Sequence, residues 1–216
     1  MPWRVVSFSL LVDRYRPLPL AFYRRPAEEV ARDLLGRYVV REIEGERLVL
    51  RLVEVEAYLG APDRASHASG GRRTPRNESL YLPGGHAYVY FIYGMHWCMN
   101  AVTGEADIGS AVLLRAGEPV EGEARMIENR RWTRKVRPGD LAGGPGKLCQ
   151  ALAIDRALDG VRLDRGPLRL TAGEPVSESE IVAGPRIGVD YAGEAAAWPL
   201  RFVVRGHRHV SRPWPW

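Results

Sequence analysis

Residues 47–58 read RLVLRLVEVEAY, and no other stretch restricts the fold more tightly. A two-residue alternation of this length makes a long β-strand, because successive side chains of a strand point to opposite faces. Plain alternation places Leu48, Leu50 and Leu52 on one face with Glu54, Glu56 and Tyr58, and Val49, Val53 and Val55 on the other. A face that turns from leucine to glutamate runs from a core to the rim of a pocket. Carboxylates there are costly unless they are hydrogen-bonded or useful. Two readings stay open on the alternation alone: the glutamates pair with arginines in structural bridges, or one of them does chemistry.

The surrounding segments supply partners for this strand. A strand at 38–43 precedes it across a tight turn at Glu44-Gly45, and a second hairpin spans about 86–102, turning near Tyr93-Gly94. Further strands are expected at 110–116, 167–171, 185–189 and 200–205. Helices are expected at 26–35, at 118–131 and from about Lys147. The first has Pro26 in its opening turn, Glu28 and Glu29 at the positive end of the dipole, an apolar face of Val30, Leu34 and Leu35, and Gly36 as its stop. Connections this short leave no room for repeated βαβ crossovers. The fold class is therefore mixed α/β, one domain, with a mostly antiparallel sheet.

Charge narrows the function. Of 31 basic residues, 29 are arginine, and the formal net charge is +5. Arginine suits phosphate and stacks on bases, so a polyanionic partner fits, although a GC-rich genome also enriches arginine. Arg72, Arg73 and Arg76 form one basic cluster, residues 130–137 a second, and Arg201, Arg205, Arg208 and Arg212 a third. Clusters without acids raise the nucleic-acid reading, since each neutralised phosphate releases counterions. Cys98 and Cys149 lack CxxC spacing and read as buried thiols of a reducing compartment. No apolar run approaches the ~20 residues of a membrane span. The apolar stretch 5–12 imitates a signal peptide but lacks a small-residue cleavage site, so an N-terminal strand or arm is expected. The scattered histidines show no metal-ligand spacing. His207 and His209 lie in an arginine-rich segment where a surface role is expected.

Two segments invite a site. YVYFIYGMHWCMN, 88–100, is dense in aromatic rings, and Tyr93 at its turn is either exposed, as a wedge between bases, or docked against the core. GGPGK, 143–147, fails as a Walker A loop because Leu141 and Leu148 stand where Gly and Ser or Thr are required. Its glycines and Lys147 still let backbone N–H groups converge on one phosphate.

Together, VEVEAYLG (53–60), Asp63 with His67, GGRRTPRN (70–77), YVYFIYGMHWCMN (88–100), VLLRAGEP (112–119), GPGKLCQALAI (144–154), PRIGVDYAGE (185–194) and PLRFVVRG (199–206) resemble the alkyladenine (3-methyladenine) DNA glycosylase family. The resemblance implies a domain over 22–210 with a curved sheet, flanking helices and a protruding DNA-intercalating hairpin, an arm at 1–21 and a tail at 211–216. It implies excision of alkylated, deaminated or etheno purines from duplex DNA, leaving an abasic site. Glu56 becomes the general base, with Arg115 and the Ile187 carbonyl beside it, and Glu54 becomes structural. Tyr58, His67, Tyr90 and Asn100 become the base pocket. Tyr93 and Met95 become the intercalating tip, and Arg72, Arg73, Arg76, Gly146 and Lys147 the phosphate contacts. No cofactor and no metal are implied. The expected form is a monomer of the cytoplasm or, in a eukaryote, the nucleus. Two other classes compete: a metal-dependent nuclease on Glu54, Glu56 and Asp63, and a non-catalytic nucleic-acid-binding module.

Overall fold

A computed structural model describes residues 15–215. The N-terminal strand or arm expected from the first residues falls largely outside that range. The chain begins with a short helix α1 (Leu20–Tyr23) and α2 (Ala27–Leu34), then the hairpin of β1 (Tyr38–Ile43) and β2 (Glu46–Tyr58). After a long loop come β3 (Ala87–Ile92), β4 (His96–Thr103) and β5 (Ser110–Glu121). Helices α3 (Glu123–Asn129) and α4 (Pro145–Ala151) follow, then β6 (Leu168–Thr171), β7 (Ile181–Gly184) and β8 (Arg201–Val204). These strands form one open eight-stranded sheet of order β3-β4-β5-β2-β1-β6. Strand β8 pairs with β2 and β7. Every ladder among the described strands is antiparallel. The sequence expectation of a mixed α/β fold with a mostly antiparallel sheet holds.

β2 organises the molecule. Its first half pairs with β1 and its second half with β8 along one edge, while β5 runs along the other. Buried on both edges, it has almost no exposed residue after Leu48. Plain alternation along β2 fails at one place. Pairing with β5 slips between Leu52 and Glu54 and again between Glu54 and Val55. Val53 has no partner on β5, and one residue left out of the ladder exchanges the two faces of the strand beyond it. The apolar core therefore takes Leu48, Leu50 and Leu52 before the slip and Val53, Val55 and Ala57 after it. Glu54, Glu56 and Tyr58 are left facing the opposite way.

Other expectations need correction. The helix expected over 118–131 is shorter, because β5 continues to Glu121 against Val49 and Leu50. Continued pairing with β2 outweighs helix propensity there. The strand expected over 185–189 lies earlier, at 181–184, where four residues pair with β8. Residues beyond Gly184 leave the sheet toward the site. The last helix starts at Pro145, with Pro in its first turn, rather than at Lys147. The expected face of Val30, Leu34 and Leu35 packs into the core, joined by Ala31. No helix of the described residues is long and apolar enough to cross a membrane.

Candidate active site

Where β2, β4 and β5 emerge beside the loop 59–77 and the segment 187–191, a cleft of about 470 Å³ opens. Tyr58, His67, Tyr88, Tyr90, Asn100 and Arg115 are among its walls. A second hollow of about 550 Å³ adjoins it, shares His67, Tyr88, Tyr90 and Tyr93, and is bordered by Arg64, Arg72 and Arg76.

The aromatic wall is ordered by ring contacts. His67 meets Tyr90 edge-on at 4.5 Å between centroids and Tyr88 at 5.9 Å, while Tyr88 and Tyr90 tilt against each other at 5.3 Å. His67 Nδ1 and the Tyr88 hydroxyl are hydrogen-bonded at 2.7 Å. Burial, together with Arg76 and Arg72, pushes the His67 imidazole below the ordinary histidine range, so the ring is neutral at pH 7. Burial pushes the Tyr58 and Tyr90 phenols well above their usual range, and both remain protonated donors. The Asn100 amide is buried, and its nitrogen donates to the Tyr88 carbonyl at 3.2 Å.

Two glutamates lie side by side under this wall, and their surroundings differ. Glu54 is saturated. Its Oε1 accepts from Arg115 Nε, Arg201 Nε and the Ser211 hydroxyl, each at 2.8 Å, and its Oε2 accepts from Ser211 N at 2.7 Å. Glu56 is equally buried but less occupied. Its Oε1 accepts from Ile187 N at 2.7 Å and lies 3.3 Å from Arg115 Nη1, while its Oε2 accepts from the Tyr58 hydroxyl at 2.9 Å. Burial raises the Glu56 carboxyl above the ordinary glutamate range. Arg115, the Ile187 N–H and the Tyr58 hydroxyl pull it back down, and Glu54 adds a smaller upward push. Arg115 keeps its proton firmly: burial alone would lower its affinity, but Glu56 and Glu54 outweigh that. Glu56 does not itself form the cleft surface. Tyr58, Arg115 and Ile187 do, and each contacts it.

Tyr93 is 76% exposed and Met95 67%, at the tip of the β3–β4 hairpin. Of the two readings of Tyr93, the exposed one describes the molecule. Gly146 and Lys147 border the cleft, and a Cβ on Gly146 would lie 3.0 Å from the His96 ring. Arg72 and Arg76 are exposed. Arg73 stands apart: it bridges Glu78 and Asp107, each at 2.5 Å, and stacks on Tyr81.

The C-terminal basic cluster is not one surface. Arg201 is buried on Glu54 and donates to the Ser211 and Pro213 carbonyls. His207 and His209 are likewise not surface groups. His207 is half-buried and 3.5 Å from Glu118, and His209 is buried and accepts from Gly139 N at 3.3 Å. Ser211, Arg201 and Arg186 were invisible as site-supporting residues in the sequence. They are single polar residues among many, and only the slip in β2 and the return of the chain end bring them in. Asp63 holds Arg186 through both carboxylate oxygens in a fully buried pair. Cys98 borders the cleft, its thiol pushed up to about 11 by burial, and Cys149 is buried.

A family model for methylpurine-DNA glycosylase matches residues 21–208. A protein of Myxococcus xanthus strain DK1622, provisionally named a 3-methyladenine DNA glycosylase, is 50% identical over 195 residues, covering 90% of this chain and 93% of its own. The Homo sapiens DNA-3-methyladenine glycosylase is 45% identical over 225 residues, covering 97% of this chain and 73% of its own. The Mus musculus protein of the same name is 43% identical over 223 residues, covering 96% and 65%. With the match running from α1 past β8, across every strand that builds the cleft, the chain belongs to the methylpurine-DNA glycosylase family.

Proposed function

We infer that this chain is a base-excision-repair DNA glycosylase, a hydrolase that removes alkylated purines from duplex DNA. The observation that carries the reading is the Glu56 carboxylate, held beneath an aromatic-walled cleft by three groups that line it. A purine inside a duplex cannot reach such a cleft, so the nucleotide is extruded first. Tyr93, exposed at the hairpin tip with Met95 beside it, fills the vacated stack. Tyr58, His67 and Tyr90 sandwich the extruded base. A neutral His67 suits this role, because an imidazolium would repel a cationic alkylpurine.

Glu56 acts as general base. Its Oε1 is occupied by Ile187 N–H and Arg115, but Oε2 has the Tyr58 hydroxyl alone, leaving a lone pair for a water. The water oxygen bonds to C1′, its proton passes to Glu56, and the C1′–N bond breaks with its electron pair leaving on the base. Carboxylate charge beside C1′ stabilises the oxocarbenium character of the sugar. Arg115 favours the ionised form of Glu56 against the effect of burial, and the Ile187 segment fixes its orientation. The Ile187 carbonyl is the second acceptor for the water. Asn100, at the purine edge, excludes the exocyclic amine of guanine. Arg72, Arg76, Gly146 and Lys147 border the openings and meet phosphates. Cationic purines leave readily, whereas neutral hypoxanthine and ethenoadenine need in addition a proton donor at the base. The reading is of a metal-independent monomer. The nuclease alternative loses its ligands, because Glu54 and Asp63 are already filled by guanidinium groups.

The chemistry stops at an abasic site. A lyase needs an amine nucleophile, and the side-chain amines are Lys135, in the 130–137 loop, and Lys147, exposed at the cleft border. The test is incubation with duplexes each bearing one lesion, with chelator present, scored for alkali-labile sites and for borohydride-trapped adduct. Free base and alkali-labile sites without adduct are expected. Strand cleavage without alkali, or loss of activity with chelator, overturns the reading.

A further inference from the structure

The Arg186–Asp63 pair is buried directly behind a cleft wall. Arg186 Cζ lies 4.7 Å from the Tyr58 ring centroid, over the ring face. Tyr58 lines the cleft and Arg186 does not; Arg186 is 5% exposed. The guanidinium therefore covers the ring face turned away from the cleft and leaves the other face to a bound base. Arg186 also donates to the carbonyls of Ala57 and Ala195, at 3.0 and 3.1 Å, while its Nε is buried without a hydrogen-bond partner.

We propose that Arg186 is a specificity-determining residue, whose charge on the back of Tyr58 sets how strongly that ring favours a cationic purine over a neutral one. The proposal rests on the glycosylase reading and on Tyr58 as a wall of the base pocket. An aromatic ring presents negative potential on both faces. A cation held on one face uses up part of that attraction and repels a second cation on the other. Arg186 thus handicaps 7-methylguanine and 3-methyladenine, which carry positive charge, relative to hypoxanthine, which does not. Glu56 works in the opposite direction from beneath the cleft, so the two buried groups bracket the base with opposite biases. Asp63 moderates the effect by partly neutralising Arg186. A purely structural ion pair, tying the loop at 63 to the segment at 186–195, would alter excision of all bases in equal proportion.

The experiment compares single-turnover excision of 7-methylguanine and of hypoxanthine from otherwise identical duplexes, with enzyme in excess. The ratio of the two rates is taken on one preparation, so the folded fraction cancels. In the doubly neutral variant Asp63→Asn with Arg186→Gln, the cationic-to-neutral ratio is expected to rise about fivefold. In Asp63→Asn alone, Arg186 loses its counter-charge and the ratio is expected to fall below that of the wild type. Either variant carries the test by itself if the other fails to fold. A ratio within twofold of wild type in the variants that fold, or a shift of opposite sign, overturns the proposal. Excision of neither base by the wild type would instead remove the glycosylase reading on which it rests.

Discussion

Glu54 and Glu56 stand two positions apart on one strand, both fully buried, yet their surroundings differ in what they leave free. Glu54 has four donors, two of them guanidinium groups, which makes it a fixed counter-charge for Arg115 and Arg201. Glu56 keeps a lone pair. Its folded-state pKa is raised, so ionising it costs stability; that cost is absent below the unfolded pKa and complete above the raised folded value. On the proposed reading, excision follows the same titration, because the general base it assigns to Glu56 is the ionised form. The acid limb of the excision profile should lie above the ordinary glutamate range, measured as single-turnover rate against pH. Glu56→Gln should lower base release by roughly 10²–10⁴-fold while still binding lesion DNA. Its amide oxygen can accept from Ile187 N, and a buried charge is gone. Urea denaturation at neutral pH should therefore find it at least as stable as the wild type, and a large loss of stability would count against this electrostatic account.

The hairpin β3–β4 shows strain at an element's tip. Tyr93 and Gly94 have φ of 55° and 66°, and Met95 N donates to the Ile92 carbonyl at 3.2 Å. Positive φ at both central positions is the type I′ pattern, in which Asn or Gly is the usual first residue. A tyrosine there costs about 1–2 kcal/mol, and at 76% exposed it buries little in return. Tyr93→Gly should stabilise the fold by about 1 kcal/mol in urea titration. It should weaken lesion-duplex affinity about tenfold, the scale of one lost base–aromatic stack. Unchanged affinity would reduce Tyr93 to a turn residue. Near the end of the described chain, Ser211 bonds to Glu54 in the second half of β2. Ser211→Ala removes a hydroxyl donor from buried, charged Glu54 and should cost about 2 kcal/mol by chemical denaturation. Arg212→Ala, at an exposed neighbour, should cost almost nothing.

Across the whole molecule, net charge of +5 is distributed unequally between structure and surface. Arg115, Arg186 and Arg201 are internal. Arg73 is committed to Glu78 and Asp107, whereas Arg72, Arg76 and Lys147 are exposed beside the openings. The logarithm of duplex affinity should fall linearly with the logarithm of salt concentration. Replacing Arg72, Arg76 or Lys147 by Ala should each reduce that slope by about one. Arg73→Ala should leave it unaltered, and an equal reduction there would show that its ion pairs open on binding.

The sequence by itself determined the elements whose signal is local. The alternation of 47–58, the positive-φ turn at Glu44-Gly45, the apolar face of α2 and the aromatic hairpin all follow from neighbours in the chain. The resemblance carried by VEVEAY and YVYFIYGM further named Glu56, Tyr58, Tyr90 and Tyr93. What the tertiary structure alone decided is where long-range pairing overrides local pattern. Between Leu52 and Val55 the pairing of β2 with β5 is irregular, and the faces of β2 exchange there so that both glutamates leave the apolar core. Which glutamate is saturated depends on Arg201 and Ser211, nearly 150 residues or more away in the chain. Arg186 beneath Tyr58 depends on a contact across 128 residues. Local propensity carries no record of such partners, because their energy exists only once the sheet has closed and water has left the site.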